Sequence, residues 1–395
     1  MKQGSCRIAI LTDYMLHPTD DNLLVVEENL GLLQLIRFIQ GELSWDVDVF
    51  QASPVAKRMF DGVNVFGIDA KADHVSMFPG LNSVFAQRSL EYDLRIYFHW
   101  HIAAPKVCHK SIVVSHGIFW DAPSTRFNRL HSIDKREWEK RLLYGVTAPD
   151  AFVAEDRNTV NVIKAMWPGY EHRLVYIPPG VDLLAFSGSE TKGESGVTRI
   201  ICPQDFAMEQ GINEVLAVAA MAWEQGAKMK FHIVGHMRDA KEASIMAAHV
   251  SSLPNCKFYS VHWDSMAELY PQFDFALMPF RATEGASLYC LQAMACGLPV
   301  IAGFAGGLAE FVINGWNGYL VNPEAANLIQ AVLELTSDRS LRLRMGENAR
   351  RLAGGYPESL WKQRWNSLLN RILAKNQEGG DSGDKMRSMS AAGSL

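Results

Sequence analysis

Apolar and polar positions follow two rhythms along the first half of the chain. Short apolar runs recur at Ile8–Leu11, Leu94–Phe98, Ile112–Val114, Ala151–Val153 and Leu174–Ile177. Runs this short, bounded by polar and turn residues, predict buried strands. Trp45–Phe50 alternates as a further strand, and between these runs Leu30, Leu33, Leu35, Ile36 and Ile39 fall at helical spacing. Strands alternating with helices predict a parallel sheet covered on both faces.

The rhythm breaks at Ser187–Gly196, a polar, glycine-rich stretch with the composition of a linker. It then restarts. Strands are predicted at Arg199–Cys202, Lys230–Val234, Lys257–Val261, Phe275–Met278 and Val300–Ala302. Helices are predicted at Ile212–Trp223, Met266–Tyr270 and Leu288–Cys296, with an amphipathic one at Leu360–Ala374. The pattern describes two α/β domains in series, residues 1–186 and 197–357, then a terminal helix over 358–375. The tail from 376 to 395 is poor in apolar residues and is expected to be disordered.

Composition narrows the function classes. The chain has 395 residues, 48% of them hydrophobic, and a net charge of −5. Two cores of ordinary size fit that length, and the charge is wrong for a protein that coats nucleic acid. The six cysteines form no C-x-x-C pair and fit no metal-finger spacing, so they read as reduced thiols. No uncharged apolar window is long enough to cross a bilayer, and the N-terminus lacks a secretory layout. The expected location is cytoplasmic. It extends to the inner face of a membrane if the basic stretch from Arg126 to Arg141 meets lipid, although Asp134, Glu137 and Glu139 within it suit a solvated helix.

Ligands of open α/β sheets bind beyond the carboxyl ends of the strands. The richest such place is Leu277–Pro323, where a strand ends at Pro279 and Glu284-Gly285-Ala286-Ser287 opens a helix. The first amides of that helix lack internal partners and present the positive end of its dipole, a geometry that cradles phosphate. Glu284 suits sugar hydroxyls rather than phosphate, and Gln292 follows eight residues later, about 12 Å along a helix. An ordinary strand–loop–helix unit with a solvated Glu fits the same spacing equally well. Asp46-Val47-Asp48 spells a D-x-D but lies within a predicted strand, so it reads as a polar strand face. No histidine cluster has metal-site spacing.

The stretch resembles the retaining glycosyltransferases of family 4, which share the GT-B architecture. Glu284 is followed by Gln292-Ala293-Met294-Ala295-Cys296-Gly297-Leu298-Pro299-Val300-Ile301, then Gly306-Gly307-Leu308-Ala309-Glu310 and Gly315-Trp316-Asn317-Gly318-Tyr319-Leu320-Val321. Ile177-Pro178-Pro179-Gly180-Val181-Asp182, His232-Ile233-Val234-Gly235 and Tyr97-Phe98-His99-Trp100-His101 are similar to further family segments. The resemblance implies a GT-B fold of two Rossmann-like domains facing each other across a cleft, with the terminal helix crossing back onto the first.

It also implies a reaction. A hexose would pass with retention from a nucleotide-diphosphate sugar to a hydroxyl acceptor, with no metal and no cofactor beyond the donor. His116 and Glu284 would hold the reacting sugar. Gly285, Ala286, Ser287, Leu288, Gln292, Arg281 and Gly235 would line the donor site, and His99, His101 and Asp121 the acceptor side. His99 and His101 would face opposite ways if the strand continued through them, so only one would reach the cleft.

Three departures from the family pattern stand out. Asp205 and Gln210 occupy the places of an Arg and a Lys that neutralise the donor diphosphate. Gln292 replaces a Glu, a mild loss because an amide still binds a ribose hydroxyl. The glycine pair expected after the first strand is absent from Asp20-Asp21-Asn22-Leu23-Leu24-Val25-Val26-Glu27. Losing preorganised cations costs on the order of 3 kcal/mol of transition-state stabilisation. Arg281 is the first substitute to consider, ahead of Arg238 and Lys241. The alternative is a non-catalytic GT-B partner or glycan-binding subunit, acting with a second copy or with another glycosyltransferase.

Overall fold

In the computed structural model the described residues are 6–17, 22–23, 27–69, 74–118, 135–188, 196–203, 210–235, 247–259, 261, 265–281, 285–304 and 306–374. Glu284, Asp121, Asp205, Arg238, Lys241, most of the linker and the tail fall outside them.

Fourteen strands among the described residues form two sheets. The first sheet holds β1 (Arg7–Leu11), β2 (Asp46–Ala52), β3 (Lys57–Phe60), β4 (Val63–Ile68), β5 (Leu94–Tyr97), β6 (Ser111–Ser115), β7 (Ala151–Ala154) and β8 (Leu174–Tyr176). Their order is β3-β4-β2-β1-β5-β6-β7-β8. All pairings are parallel except the edge hairpin β3–β4.

The second sheet holds β9 (Thr198–Pro203), β10 (Met229–Val234), β11 (Cys256–Tyr259), β12 (Phe275–Met278), β13 (Val300–Gly303) and β14 (Gly318–Val321). Its order is β11-β10-β9-β12-β13-β14, parallel throughout.

Helices among the described residues are α1 (Glu27–Gly41), α2 (His74–Arg88), α3 (Lys135–Thr147), α4 (Arg157–Met166), α5 (Ile212–Glu224), α6 (Met266–Leu269), α7 (Leu288–Ala295), α8 (Leu308–Phe311), α9 (Ala325–Ser337), α10 (Arg339–Ala353) and α11 (Glu358–Ala374). Helices flank both sheets, so the central strands β5, β6, β7, β12 and β13 are buried along their whole length, as their unbroken apolar runs require, while the edge strands β3, β8, β11 and β14 stay partly exposed. Asp48, within the D-x-D, is buried with its strand rather than solvated. Its carboxylate accepts hydrogen bonds from the Asn64 amide at 2.7 Å and the Tyr92 hydroxyl at 2.6 Å.

Helix α11 belongs to the core of the first domain, although it follows the second in sequence. Trp361, Trp365, Leu368, Leu369 and Ile372 pack with Ile36, Phe38, Ile39 and the strand residues Ile8 and Ile10. Two chain crossings join the domains side by side. The Val181 amide donates to the Tyr356 carbonyl, and the Glu358 amide donates to the Val181 carbonyl, both at 2.9 Å. Gly180 is required there: a Cβ would stand 2.5 Å from the Trp361 Cβ.

In each sheet the strand order reverses at one place, between β1 and β5 in the first and between β9 and β12 in the second. The crevices at the carboxyl ends of those pairs are the ligand sites of doubly wound sheets. Here the two crevices face each other.

Candidate active site

The first sheet contributes a cluster of three histidines. Strand β5 ends at Tyr97, and the Phe98 amide is captured by the Leu11 carbonyl at 2.8 Å. The chain then turns into a 3₁₀ turn over Trp100–Ile102. Alternation therefore stops, and His99 and His101 do not face opposite ways. Their rings stack at 5.3 Å with 30° between planes. His101 Nε2 lies 2.9 Å from the nearer Asp13 carboxylate oxygen, at the end of β1.

His116 follows β6 directly and is buried. Its Nδ1 lies 2.7 Å from Glu155 Oε2 and its Nε2 2.8 Å from the Phe98 carbonyl oxygen. Both neighbours are acceptors only, so both ring nitrogens carry protons and the ring is an imidazolium. Burial alone would lower its pKa. The Glu155 carboxylate, aided by its hydrogen bond, by Glu28 and by the Phe98 carbonyl, raises it to about 9. His99 lies 5.0 Å from His116, ring to ring. Desolvation lowers its pKa to about 3; Asp13 opposes the shift, and His116 and His101 add to it. The cluster thus pairs a charged imidazole with a neutral one.

The second sheet contributes the start of α7. Ser287 caps it, its hydroxyl accepting from the Cys290 amide at 3.2 Å. The Gly285 amide donates to the His116 carbonyl at 2.8 Å, joining the two domains across the cleft. No side chain fits at Gly285, because a Cβ would stand 2.7 Å from the His116 carbonyl carbon. Gly307 packs on Gly285 in turn, where a Cβ would lie 2.5 Å from the Gly285 carbonyl carbon. The glycines of the second domain therefore let three backbone segments meet at one point.

Two cavities flank this meeting point. The smaller, about 50 Å³, is lined by His116, Glu155, Gln210, Gly285, Ala286 and Ser287 together with Glu27, Glu28 and Leu288. The larger, about 370 Å³, is lined by Gln292, Met266, Arg37, Lys362 and Leu288 among others. Leu288 lines both. The larger falls within the range of small-molecule sites, roughly 300–1,000 Å³. The smaller has room for a few waters.

The predicted site residues divide accordingly. His116, Gly285, Ala286, Ser287 and Leu288 converge on the smaller cavity, and Gln292 faces the larger one with its Oε1 unpartnered among the described residues. His99 and His101 stand behind His116. Arg281 lines neither cavity; its guanidinium is paired with Glu214 of α5. Gly235 follows β10, its amide donating to the Tyr259 carbonyl at 3.2 Å, and lines neither cavity.

Sequence reasoning missed Glu155 and Glu27. Glu155 follows β7 immediately, so the strand-end rule that found His116 also points to it. Glu27 carries no local signal, because its contacts are some 260 residues away. Among the described residues no three His, Cys, Asp or Glu side chains are grouped to hold a metal ion. No helix among them is long and apolar enough to cross a membrane.

Comparison with known proteins gives this geometry a context. Residues 191–352 match the family model described as "Glycosyl transferases group 1". The chain is 26% identical over 251 residues to the D-inositol 3-phosphate glycosyltransferase of Geodermatophilus obscurus, covering 59% of this chain and 54% of that one. It is 26% identical over 222 residues to a GDP-mannose-dependent phosphatidylinositol monomannoside mannosyltransferase of Corynebacterium glutamicum, covering 52% and 55%. The chain spans between about an eighth and just over half of the length of the curated relatives it matches.

Among solved structures it is similar to sucrose-phosphate synthase from Thermosynechococcus elongatus. The TM-score is 0.76 at 17% identity, over 94% of this chain and all of that one, 100%. It is also similar to Anabaena HepE in complex with UDP and glucose, with a TM-score of 0.70 at 16% identity over 93% and 100% of the two chains. The two facing Rossmann-like domains, with a last helix returning to the first, are the GT-B fold.

Proposed function

We propose that the protein is a retaining, family 4-like glycosyltransferase that moves a hexose from a nucleotide-diphosphate sugar to a hydroxyl acceptor. One observation carries this most: the strand end at His116 and the helix start at Gly285–Leu288 meet on one cavity, joined by the Gly285–His116 hydrogen bond. On this reading the α7 amides hold the phosphates, because N–H groups without an intrahelical partner and the helix dipole favour anions. Gln292 holds the ribose from the larger cavity. His116, charged and fixed by its own hydrogen bonds, offers the sugar the positive charge of its ring, and Glu284, immediately before Gly285, takes the sugar hydroxyls.

A charged His116 donates hydrogen bonds and cannot accept a proton, so it stabilises and positions rather than acting as base. The leaving phosphate then takes the acceptor proton, and neither a metal nor a cofactor is needed. The relatives point the same way: their names are those of glycosyltransferases, and HepE was solved with UDP and glucose. The acceptor binds on the His99 and His101 side, at the cytoplasmic face.

A second reading is favoured by the charge of the smaller cavity. Its described lining contains Glu27, Glu28 and Glu155 and neither Lys nor Arg. That suits a neutral glycan held without transfer, in a subunit that supports an active partner. A thermal-shift screen with UDP, GDP, ADP and their sugars, followed by donor hydrolysis, separates the two. Transfer predicts stabilisation by one nucleotide family and hydrolysis lost in Glu284→Ala. Silence with every nucleotide, together with a stable complex with another glycosyltransferase, supports the second reading.

A further inference from the structure

The amides at the start of α7 already hold an anion, and it belongs to the protein. Glu27, in the first turn of α1, reaches across the cleft from the first domain to the second. Its Oε1 accepts from the Leu288 amide and, at 3.3 Å, from the Tyr289 amide. Its Oε2 lies 3.2 Å from the Ser287 hydroxyl. A carboxylate bonded to helix N-terminal amides is a charge-assisted arrangement, the same one a phosphate makes there.

A second feature lies in the same cavity. Gln210 lines the same cavity, is only 7% exposed, and its Oε1 has no hydrogen-bond partner among the described residues. A buried acceptor left unpaired is costly unless a donor arrives. A ligand that brings hydroxyls beside a phosphate satisfies both Gln210 and the amides, which Glu27 alone does not.

We propose that Glu27 is the molecule's own occupant of the phosphate cradle, and that a phosphate-bearing ligand binds by displacing it. This rests on the donor reading of the cleft. The exchange is interdomain, because Glu27 and the amides lie on opposite sides. Displacing the carboxylate therefore releases one of the contacts that hold the cleft shut over the small cavity. Glu27 also discriminates by charge: it competes at the amides with any anion and disfavours the more highly charged diphosphate product over the sugar-capped donor.

The test is calorimetric titration of the full chain and of its Glu27→Ala and Glu27→Gln variants with inorganic pyrophosphate, then with UDP, GDP and ADP. Pyrophosphate should bind Glu27→Ala at least tenfold more tightly than the parent. Glu27→Gln, which keeps an acceptor for the amides but loses the charge, should fall between. If Glu27→Ala does not melt cooperatively, the Gln variant decides, with a threefold gain expected. Equal or weaker pyrophosphate binding in the variants, or no binding to any chain, overturns the exchange. If pyrophosphate shows the gain while no nucleotide binds any chain, the exchange stands and the donor reading falls. If nucleotides bind all three chains alike, the donor reading stands and the exchange falls.

Discussion

His116 has an acceptor on each ring nitrogen, and that has a consequence for stability. Its pKa rises to about 9 in the folded chain, against about 6.5 when unfolded. A group raised in this way adds stability that is fully present below about pH 6.5 and is lost as the pH climbs through about 9. The loss is about 3 kcal/mol at most. Thermal melts of the parent should therefore fall over that window, and those of Glu155→Gln should fall less, because its His116 has lost its counter-charge.

Asp156 acts in a lower window. It caps α4, its Oδ1 accepting from the Thr159 amide at 2.7 Å. Burial raises its pKa to about 6 despite those hydrogen bonds to Thr159. Its share of the stability is likewise lost with rising pH, between about 4 and 6, so melts of the Asp156→Asn variant should be flatter there.

At the scale of elements, α7 depends on its cap and on the glycine before it. Ser287→Ala removes the hydroxyl on the Cys290 amide and should cost about 1 kcal/mol, read by denaturant melts. Gly285→Ala should act differently. Its methyl group would press on the backbone of His116, so the cleft should open and any nucleotide affinity should fall by more than the loss in stability. Titration of the variant with the nucleotide that stabilises the parent checks this.

Elements were also where the sequence was most legible. The parallel strands of the second domain through β13 are readable from apolar runs, most plainly β12 and β13, which are buried along their whole length and have no polar side. The β3–β4 hairpin carries no long apolar run, and its one local mark is Asp61-Gly62, a hairpin signal between two short runs. Both residues adopt positive φ, 48° and 77°. The cleft was legible on the side of α7 and His116, where motif and strand end coincide. It was illegible at Glu27, since nothing in a helix's first turn reveals which distant amide it will meet.

At the scale of the molecule, polar contacts beyond the cleft also bind the domains. Glu310 of α8 accepts from the Arg157 amide at 3.0 Å and is paired with the Arg157 guanidinium, and Tyr176 donates to it as well. Glu310→Ala should loosen the closed arrangement, and small-angle scattering should record a larger radius of gyration than in the parent. Gly180→Ala tests the crossing itself. Its methyl would collide with Trp361, and overpacking of this kind costs about 1–3 kcal/mol.

The return of α11 to the first domain also sets an order in time. Ile8, Ile36 and Phe38 leave the ribosome early, yet the partners that complete their core, Trp361 to Ile372, are made more than 300 residues later. At about 5–20 residues per second, that interval is tens of seconds. Through it the first sheet has an uncovered apolar face beside α1. A nascent chain stalled before residue 358 should therefore be a better chaperone client than the finished one, and the second domain must form without closing off the groove on the first domain that α11 has yet to fill.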